Sequence, residues 1–479
     1  MTLDIQWSLF RTEIGLVLLS LGALVLNLFL KDNEKRGKTL ATLAMAGVSI
    51  LFIDLCFHWG HFGTSLKGTL IQDGISFYFK ILFFLSAFFV LFMAREYQGQ
   101  LKRGYEEFTL LILFALVGMV FLVSAGDFLL FFVALETLTI CMVIMTAYLR
   151  DKESSIEAGV KYLILGALST AVFLYGLSFI YGSTGTTVYT DIQAKLTAME
   201  KIPGSFIFGM ILVISSLGFK IAAVPFQLWT PDIYEGAPTP VTAYLAIGSK
   251  VAGFAALVRL MSTVFSPAQQ ELTTLLGVLS GLTILYGNLG AIPQTNIKRL
   301  LGYSSIGHAG YLLIGLVTFY SSGKEALLYY LLSYLFSTGG AFLVLVAIAN
   351  HLKKDEISEL AGLSQRSPVL AAGMLLALLS LAGVPPLGGF FAKFYLLWAA
   401  VKSHHFWLAL IGVLNIITSL YYYLKVVKVM YLDPPADEMP LRVSFEQKAM
   451  QYIAIAGVLV LGIWPGPFVK LAQIAFTSS

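Results

Sequence analysis

The chain has 479 residues, of which 58% are hydrophobic and 12% are charged, and its mean hydropathy is +0.82. A soluble globular protein has about 45–50% apolar and about 25% charged residues, so this composition excludes that class and indicates a protein embedded in a lipid bilayer. The net charge of +4 comes without a dense basic run, which argues against nucleic acid as a partner.

A helix that crosses a membrane needs about 20 mostly apolar residues, and fourteen segments of the chain meet this requirement. In chain order they are residues 12–30, 39–58, 75–94, 108–124, 127–148, 159–181, 205–229, 239–262, 270–291, 300–319, 325–350, 368–400, 406–430 and 449–469. The sequence therefore predicts an all-α polytopic membrane protein with about 14 transmembrane helices. The longest hydrophilic stretch, Asp433–Lys448, is long enough only for a loop.

Positive residues concentrate in alternate loops. The loops after odd-numbered spans hold 18 Lys and Arg residues, whereas the other loops and both ends hold 7. Because positive loops are retained on the cytoplasmic side of a membrane, we expect both termini to lie on the opposite, periplasmic side.

A few charged residues fall inside the predicted spans. Lys80 and Arg259 lie near the outer ends of their helices, and we expect their side chains to extend to the membrane interface. Glu136, in contrast, lies near the middle of span 5. A charge at this depth costs at least about 2.5 to 3.5 kcal/mol and by default has a function or a partner.

Titratable groups recur through the middle spans and form a series. They are Glu136 in span 5, Lys161 in span 6, Lys220 in span 7, Lys250 in span 8, His308 in span 10 and Lys393 in span 12. A buried lysine near a carboxylate can take up and release a proton, so the series predicts a proton relay. Two members have alternatives: Lys161 can form an ordinary ion pair with Glu157, four residues away, and His308 can be a hydrogen-bonded core histidine.

The chain also contains an internal repeat. Residues 157–170 and 325–338 share six of fourteen positions, and the Val-Pro pair at 224–225 recurs at 384–385. These Val-Pro pairs lie in spans 7 and 12, so the repeat unit has five helices, and a unit with an odd number of helices inverts in the membrane. Inverted repeats with interrupted helices are typical of ion sites near the middle of the bilayer.

Prolines interrupt both of these spans. A proline removes one amide donor and frees the carbonyl four residues earlier. Pro225 frees a carbonyl beside Lys220, whereas Pro385 and Pro386 free two carbonyls ahead of Lys393. Each broken helix therefore combines free carbonyl oxygens with a lysine inside the membrane; a simple packing kink is the alternative.

Three motifs carry a resemblance to a known family. They are LGFK at 217–220 followed by VPFQLWTPDIYEGAPTPVTAYLAIGSKVAGFAALVR at 224–259, EAGVKYLILGALSTAVFLYGLSFIYGSTGTT at 157–187, and LAGVPPLGGFFAKFYL at 381–396. Together they resemble the subunit N family of bacterial NADH-quinone oxidoreductase (respiratory complex I), whose members are antiporter-like subunits of its membrane arm. The resemblance extends over essentially the whole chain.

The resemblance implies a fold with two inverted five-helix repeats, spans 4–8 and spans 9–13, and with broken helices 7 and 12. The segments would be an N-terminal three-helix segment at 1–107, the first antiporter-like repeat at 108–262, the second inverted repeat at 270–430, and a cytoplasmic loop with the C-terminal helix at 431–479. The essential glutamate of the family falls on Glu136, and its lysines fall on Lys161, Lys220, Lys250 and Lys393. Gln227 stands where relatives often have histidine, so a titrating role is not expected there.

The implied function is a multi-pass, proton-translocating subunit in the bacterial inner membrane, driven by quinone reduction in other subunits. NADH, FMN, iron–sulfur clusters and quinone are expected in those subunits and none in this chain, whose Cys56 and Cys141 lack the spacing of a cluster or metal site. Expected partners are other membrane-arm subunits, including a neighbouring antiporter-like subunit and small membrane subunits. The alternatives are an antiporter subunit of a multisubunit cation/proton exchanger or membrane-bound hydrogenase, and an independent carrier of an organic solute.

Overall fold

The computed structural model describes residues 6–29, 35–101, 104–349, 355–435 and 439–477. The first helices are α1 (Arg11–Phe29), α2 (Lys35–Phe57), α3 (Gly74–Glu96), α4 (Gln98–Leu101), α5 (Tyr105–Ser124), α6 (Phe128–Thr146), α7 (Glu153–Thr184), α8 (Tyr189–Thr197) and α9 (Gly204–Ile221). They are followed by α10 (Trp229–Gly236), α11 (Thr239–Tyr244), α12 (Lys250–Ser262), α13 (Gln269–Ala291), α14 (Ile297–Val317), α15 (Lys324–Ile348), α16 (Leu363–Arg366), α17 (Pro368–Ala382), α18 (Gly388–Lys402), α19 (Phe406–Leu432), α20 (Phe445–Ile463) and α21 (Gly466–Thr477).

The protein is nearly all helical and polytopic. Within the described ranges, twelve helices are long and apolar enough to cross a membrane, and the bent pair α20–α21 makes up to thirteen. Most of their bounds lie within six residues of the predicted spans because apolar length determines both, but the predicted span 205–229 ends eight residues early, at Ile221. The expectation of an all-α chain is wrong in one detail: β1 (Gly63–Ser65) and β2 (Leu70–Gln72) form a small antiparallel hairpin. The predicted periplasmic ends, residues 1–5 and 478–479, lie outside the described residues.

The chain divides into two compact units. The first comprises Met1–Ile221, Gly248–Leu272 and Gln473–Ser479, and in it α3, α5, α6 and α12 pack around a core rich in phenylalanine and leucine. The second comprises Ala222–Ile247 and Thr273–Ala472, and in it α14 and α15 are almost wholly buried and pack against α10, α17, α18 and α20.

Two predicted spans are broken at their prolines. α9 ends at Ile221, and Ala222 adopts a left-handed backbone conformation with φ of +61° before Pro225. α17 ends at Ala382, where Gly383 takes φ of +90°, a conformation that glycine adopts without a Cβ penalty. A further break was not predicted: α20 and α21 meet at an angle of 84° across residues 464–465, where Pro465 cannot donate to the helix.

The prediction that Lys80 and Arg259 extend to the membrane interface is wrong. Lys80 is fully buried and forms an ion pair of 2.6 Å with Glu13. Arg259 is 1% exposed and forms an ion pair with Asp73. Neither side chain reaches an interface, because each finds a carboxylate inside the unit.

Candidate functional site

Glu136 lies in the middle of α6, on the side that turns toward α7. Its carboxylate Oε1 accepts a hydrogen bond of 2.8 Å from the Thr170 hydroxyl of α7. The residue is half-buried, and Val133 and Ile140, one turn away on either side, are exposed. The carboxylate is therefore held at the outer edge of the first unit by a hydroxyl and not by a cation.

Lys220 occupies the last turn of α9, at the end created by the break. Its side chain is 5% exposed, and its Nζ donates a hydrogen bond of 2.7 Å to Thr139 Oγ1 on α6. Nζ also lies 5.6 Å from the centre of the Tyr162 ring, a distance at which an aromatic face attracts a cation. Thr139 is one turn after Glu136, so a single helix presents the carboxylate and the hydroxyl that binds the ammonium.

Lys250 is the first residue of α12 and is 1% exposed. α12 packs closely on α9, and Gly253 makes this approach possible. A Cβ at Gly253 would lie 2.7 Å from Ile221 Cγ2 and 3.4 Å from Lys220 Cβ, which is too close for alanine without a shift. The glycine therefore allows the helix of Lys250 to pack directly against the end of α9 that carries Lys220.

Lys161 lies on α7 in a different setting. Its Nζ forms an ion pair of 2.7 Å with Glu157, one turn earlier, and both side chains are exposed, at 42% and 65%. The ordinary pair on one helix face, which was the alternative interpretation from the sequence, is present in the structure.

Lys393 is the buried lysine of the second unit. It lies in α18, just after the break between α17 and α18, and is 2% exposed. Its Nζ donates a hydrogen bond of 2.9 Å to the Ala382 carbonyl at the end of α17, and it lies 5.0 Å from the centre of the Tyr311 ring. The carbonyl that Pro386 frees is thus an acceptor for the lysine.

His308, in the middle of α14, is buried and bonded to two tyrosines. Its Nδ1 lies 2.6 Å from the Tyr330 hydroxyl, and its Nε2 lies 3.2 Å from the Tyr423 hydroxyl. His308, Tyr330 and Lys393 line one small polar cavity, together with Ser333, Tyr334, Ser337, Ser380, Leu381, Gly389 and Ala392. In the second unit, the His308 imidazole and the Lys393 ammonium therefore line the same cavity, together with several hydroxyl groups.

Gln227 lies in the segment between α9 and α10. It is 4% exposed, and its side-chain oxygen has no hydrogen-bond partner among the described residues. An amide does not titrate, so Gln227 cannot supply the proton transfer that an imidazole would supply at this position.

Sequence reasoning did not identify the hydroxyl groups of this site. Thr139 binds Lys220, Thr170 binds Glu136, and two tyrosines bind His308. A partial signal existed for the threonines. Thr139 is three residues after Glu136 on one helix face, and Thr170 recurs as Thr338 in the internal repeat.

Comparison with known proteins gives one family. Residues 125–419 match the family described as NADH:quinone oxidoreductase/Mrp antiporter, TM. NADH-quinone oxidoreductase subunit N of Desulforamulus reducens is 41% identical over 476 residues, which cover 99% of both chains. The protein of the same name from Heliobacterium modesticaldum is 42% identical over 476 residues, again covering 99% of both chains.

Solved structures agree. A chain of respiratory complex I from Thermus thermophilus with bound aureothin superimposes with a TM-score of 0.82 and 32% identity, covering 96% of this chain and 98% of that one. A chain of the Mrp complex from Dietzia sp. has a TM-score of 0.87 with 20% identity, covering 98% and 97%. The second likeness shows the shared antiporter-like fold.

Proposed function

Because this chain belongs to the subunit N family of NADH-quinone oxidoreductases, we propose that its protons cross the membrane through a relay of Glu136, Lys161, Lys220, Lys250, His308 and Lys393. The chain is a proton-translocating membrane subunit of respiratory complex I, and the relay is the part that its own residues supply. Identity of 41% over 99% of the chain favours this complex over a cation/proton exchanger, with which the shared feature is the fold.

The main support for the relay is that Lys220 and Lys393 are buried at helix breaks without a carboxylate partner among the described residues. Lys220 binds a threonine hydroxyl, and Lys393 binds a backbone carbonyl and lies 3.5 Å from the Ser419 hydroxyl. Among the residues that the structure describes, neither lysine takes part in an ion pair within 4 Å. A buried charge without a counter-ion costs several kcal/mol, so burial favours the release of the proton from each lysine.

Glu136 is placed to control that proton in the first unit. Its carboxylate and the hydroxyl that binds Lys220 are one helical turn apart on α6, so the negative charge favours a protonated Lys220. Protonation of Glu136, or its movement away, removes this attraction and releases the proton. Moving one charge against a membrane potential of about 150 mV requires only about 3.5 kcal/mol. The loss of the attraction between Glu136 and the ammonium of Lys220 is of similar size.

In the second unit the proton would move from His308 to Lys393. The Tyr330 hydroxyl lies 2.6 Å from the imidazole, and both line the polar cavity that Lys393 also lines. Lys393 is then the last group of the relay, at the second helix break. Lys161, exposed and paired with Glu157, would connect the relay to a neighbouring subunit.

The proposal includes the full topology: fourteen spans, with the broken pairs α17–α18 and α20–α21 each counted once, and both termini periplasmic. It also includes two inverted repeats. In support, Ser169 and Ser216 hydroxyls lie 2.9 Å apart in the first unit, and Ser337 and Ser380 hydroxyls lie 2.8 Å apart in the second. Ser169 and Ser337 occupy equivalent positions in the internal repeat.

Partner subunits would cover the face of α6 and α7. Charged groups on apolar helices are costly against lipid, and Glu136, Glu157 and Lys161 all have exposed surface on this face. We place membrane-arm subunits on this face, both a neighbouring antiporter-like subunit and small membrane subunits. NADH, FMN, iron–sulfur clusters and quinone would be bound by other subunits of the complex and not by this chain.

The test is proton release per NADH oxidised in membrane vesicles. Glu136→Gln should abolish this chain's share of the proton yield because the charge is lost at nearly constant shape, whereas Glu136→Asp should retain much of it. Glu271→Gln, at an exposed acid in the first turn of α13, is the matched control and should have no effect. Assembly is checked separately on native gels.

Lys220→Arg provides the second arm. A guanidinium stays protonated at any physiological pH, so it cannot release a proton in a pumping cycle. An assembled Lys220→Arg complex that pumps at the wild-type ratio would refute the titrating lysine.

A further inference from the structure

A second buried carboxylate and lysine lie far from the relay, in the N-terminal helices of the first unit. Glu13, in the first turn of α1, is 1% exposed, and Lys80, two turns into α3, is fully buried. Lys80 Nζ donates to Glu13 Oε1 at 2.6 Å and also to the side-chain oxygen of Gln72. This is the buried carboxylate–lysine chemistry of the relay, here as a direct ion pair.

The two oxygens of the Glu13 carboxylate have unequal surroundings. Oε1 accepts from Lys80 and, at 2.8 Å, from the Ser124 hydroxyl at the end of α5. Oε2 is buried and has no hydrogen-bond partner among the described residues. A buried carboxylate oxygen without a donor costs roughly 1–3 kcal/mol or more, and neutralising the carboxylate removes the charge that makes this oxygen costly to bury.

The charged groups next to Glu13 and Lys80 are Asp73 and Arg259, which pair with each other. Asp73, the N-cap of α3, receives two hydrogen bonds from Arg259, which also donates to the Val123 carbonyl at 2.9 and 3.0 Å. Burial alone would raise the pKa of the Asp73 carboxyl, but the charge and hydrogen bonds of Arg259 lower it below its usual value. Asp73 is therefore paired with Arg259, and Glu13 is the carboxylate in direct contact with Lys80.

We propose that Glu13 and Lys80 form a second proton-exchanging pair, distinct from Glu136 and Lys220. In the exchange, an Nζ–H bond of Lys80 breaks and an O–H bond forms at Glu13 Oε1, 2.6 Å away, which leaves a neutral acid and a neutral amine. The acid then gives its proton to water, a proton from water restores the ammonium, and no electron is transferred. Arg11, two residues earlier, is exposed, so the pair lies within one helical turn of the surface. The proposal rests on the proton-translocating function proposed above.

A route for coupling to the relay is present in α12. Arg259, in the last turn of this helix, donates to Asp73, which lies next to the Glu13–Lys80 pair. Lys250 is the first residue of the same helix. Nine residues separate them, or about 13 Å at 1.5 Å per residue. A change of charge at Glu13 therefore acts on the outer end of the helix that carries a relay lysine.

The test uses infrared difference spectra of the purified complex before and after reduction with NADH, in H2O and D2O. The wild type should show a protonated-carboxyl band that is lost in Glu13→Gln and displaced in Glu13→Asp. Asp54→Asn is the matched control, since Asp54 lies on the neighbouring helix α2 and pairs with Arg11 near the surface, at 3.2 Å. It should leave the band unchanged.

Proton release per NADH in vesicles supplies the second readout. Lys80→Arg keeps the charge but cannot release its proton, so it should lower the yield in an assembled complex, whereas a static ion pair would tolerate it. A wild-type carboxyl spectrum in Glu13→Gln, or in Glu13→Asp should the first variant not assemble, overturns the proposal. So does a wild-type yield in Lys80→Arg. If Glu136→Gln abolishes the yield while these variants behave as wild type, only this inference fails.

Discussion

The Thr139 hydroxyl offers the sharpest test of how the first unit holds its proton. Thr139 is 7% exposed, and its hydroxyl donates to the Leu135 carbonyl at 2.7 Å. Its donor is therefore used, and its oxygen accepts from Lys220 Nζ at 2.7 Å. A charged ammonium donates a stronger hydrogen bond than a neutral amine does, so this geometry favours the protonated lysine.

Thr139→Val replaces the hydroxyl by a methyl group of similar size. A hydrogen bond to a charged group contributes about 1.5–3 kcal/mol. Since about 1.4 kcal/mol corresponds to a factor of ten, the ratio of protonated to neutral Lys220 should fall by about ten- to a hundredfold. The packing of α6 is hardly changed, so the complex should assemble normally.

The assay is proton release per NADH in vesicles, with assembly measured on native gels. We expect a severalfold loss of this chain's share in Thr139→Val and recovery in Thr139→Ser, which restores the acceptor. Thr137→Val is the control, because that hydroxyl donates to the Val133 carbonyl of its own helix, at 2.8 Å, and does not bind a lysine among the described residues. Equal yields in Thr139→Val, Thr137→Val and the wild type would show that the lysine does not depend on this hydroxyl.

Three further predictions concern other parts of the chain. Lys393→Ala removes the ammonium from the Ala382 carbonyl and should lower the proton yield of an assembled complex; an unchanged yield per NADH excludes Lys393 from the pathway. Asp73→Asn leaves Arg259 buried without its counter-ion, at a cost of about 3–5 kcal/mol, so native gels after mild heating should show less intact complex than the wild type, and equal amounts would contradict this. A reporter fused within Asp433–Lys448 should report a cytoplasmic location, and a periplasmic signal would contradict the proposed topology.

The helix positions could be predicted because they depend on local properties. Each spanning segment is recognised by its apolar length, as with residues 239–262 and the structural span Thr239–Ser262. The breaks after α9 and α17 follow from Pro225 and Pro386, since a missing amide donor acts on the same turn of helix. The 84° bend at Pro465 was not predicted, although Pro465, Gly466 and Pro467 carry the same local signal.

The partners of the charged side chains could not be predicted from the sequence. Lys80 and Arg259 were expected at an interface, but their carboxylate partners lie 67 and 186 residues away in the chain. Nothing in a span shows which distant helix will pack beside it. The same limit applies to the two tyrosines around His308, at separations of 22 and 115 residues.

The sequence by itself therefore determined the membrane class, most of the spans, two of the broken helices and the titratable residues, because bilayer thickness, proline chemistry and the cost of a buried charge act on each segment alone. Only the tertiary structure decided which groups meet. It places Lys220 on a threonine, Lys393 on a freed carbonyl, and Glu13 against Lys80. These contacts depend on how separate helices pack, and packing is set by the complementary shapes of whole helix faces and not by any local pattern.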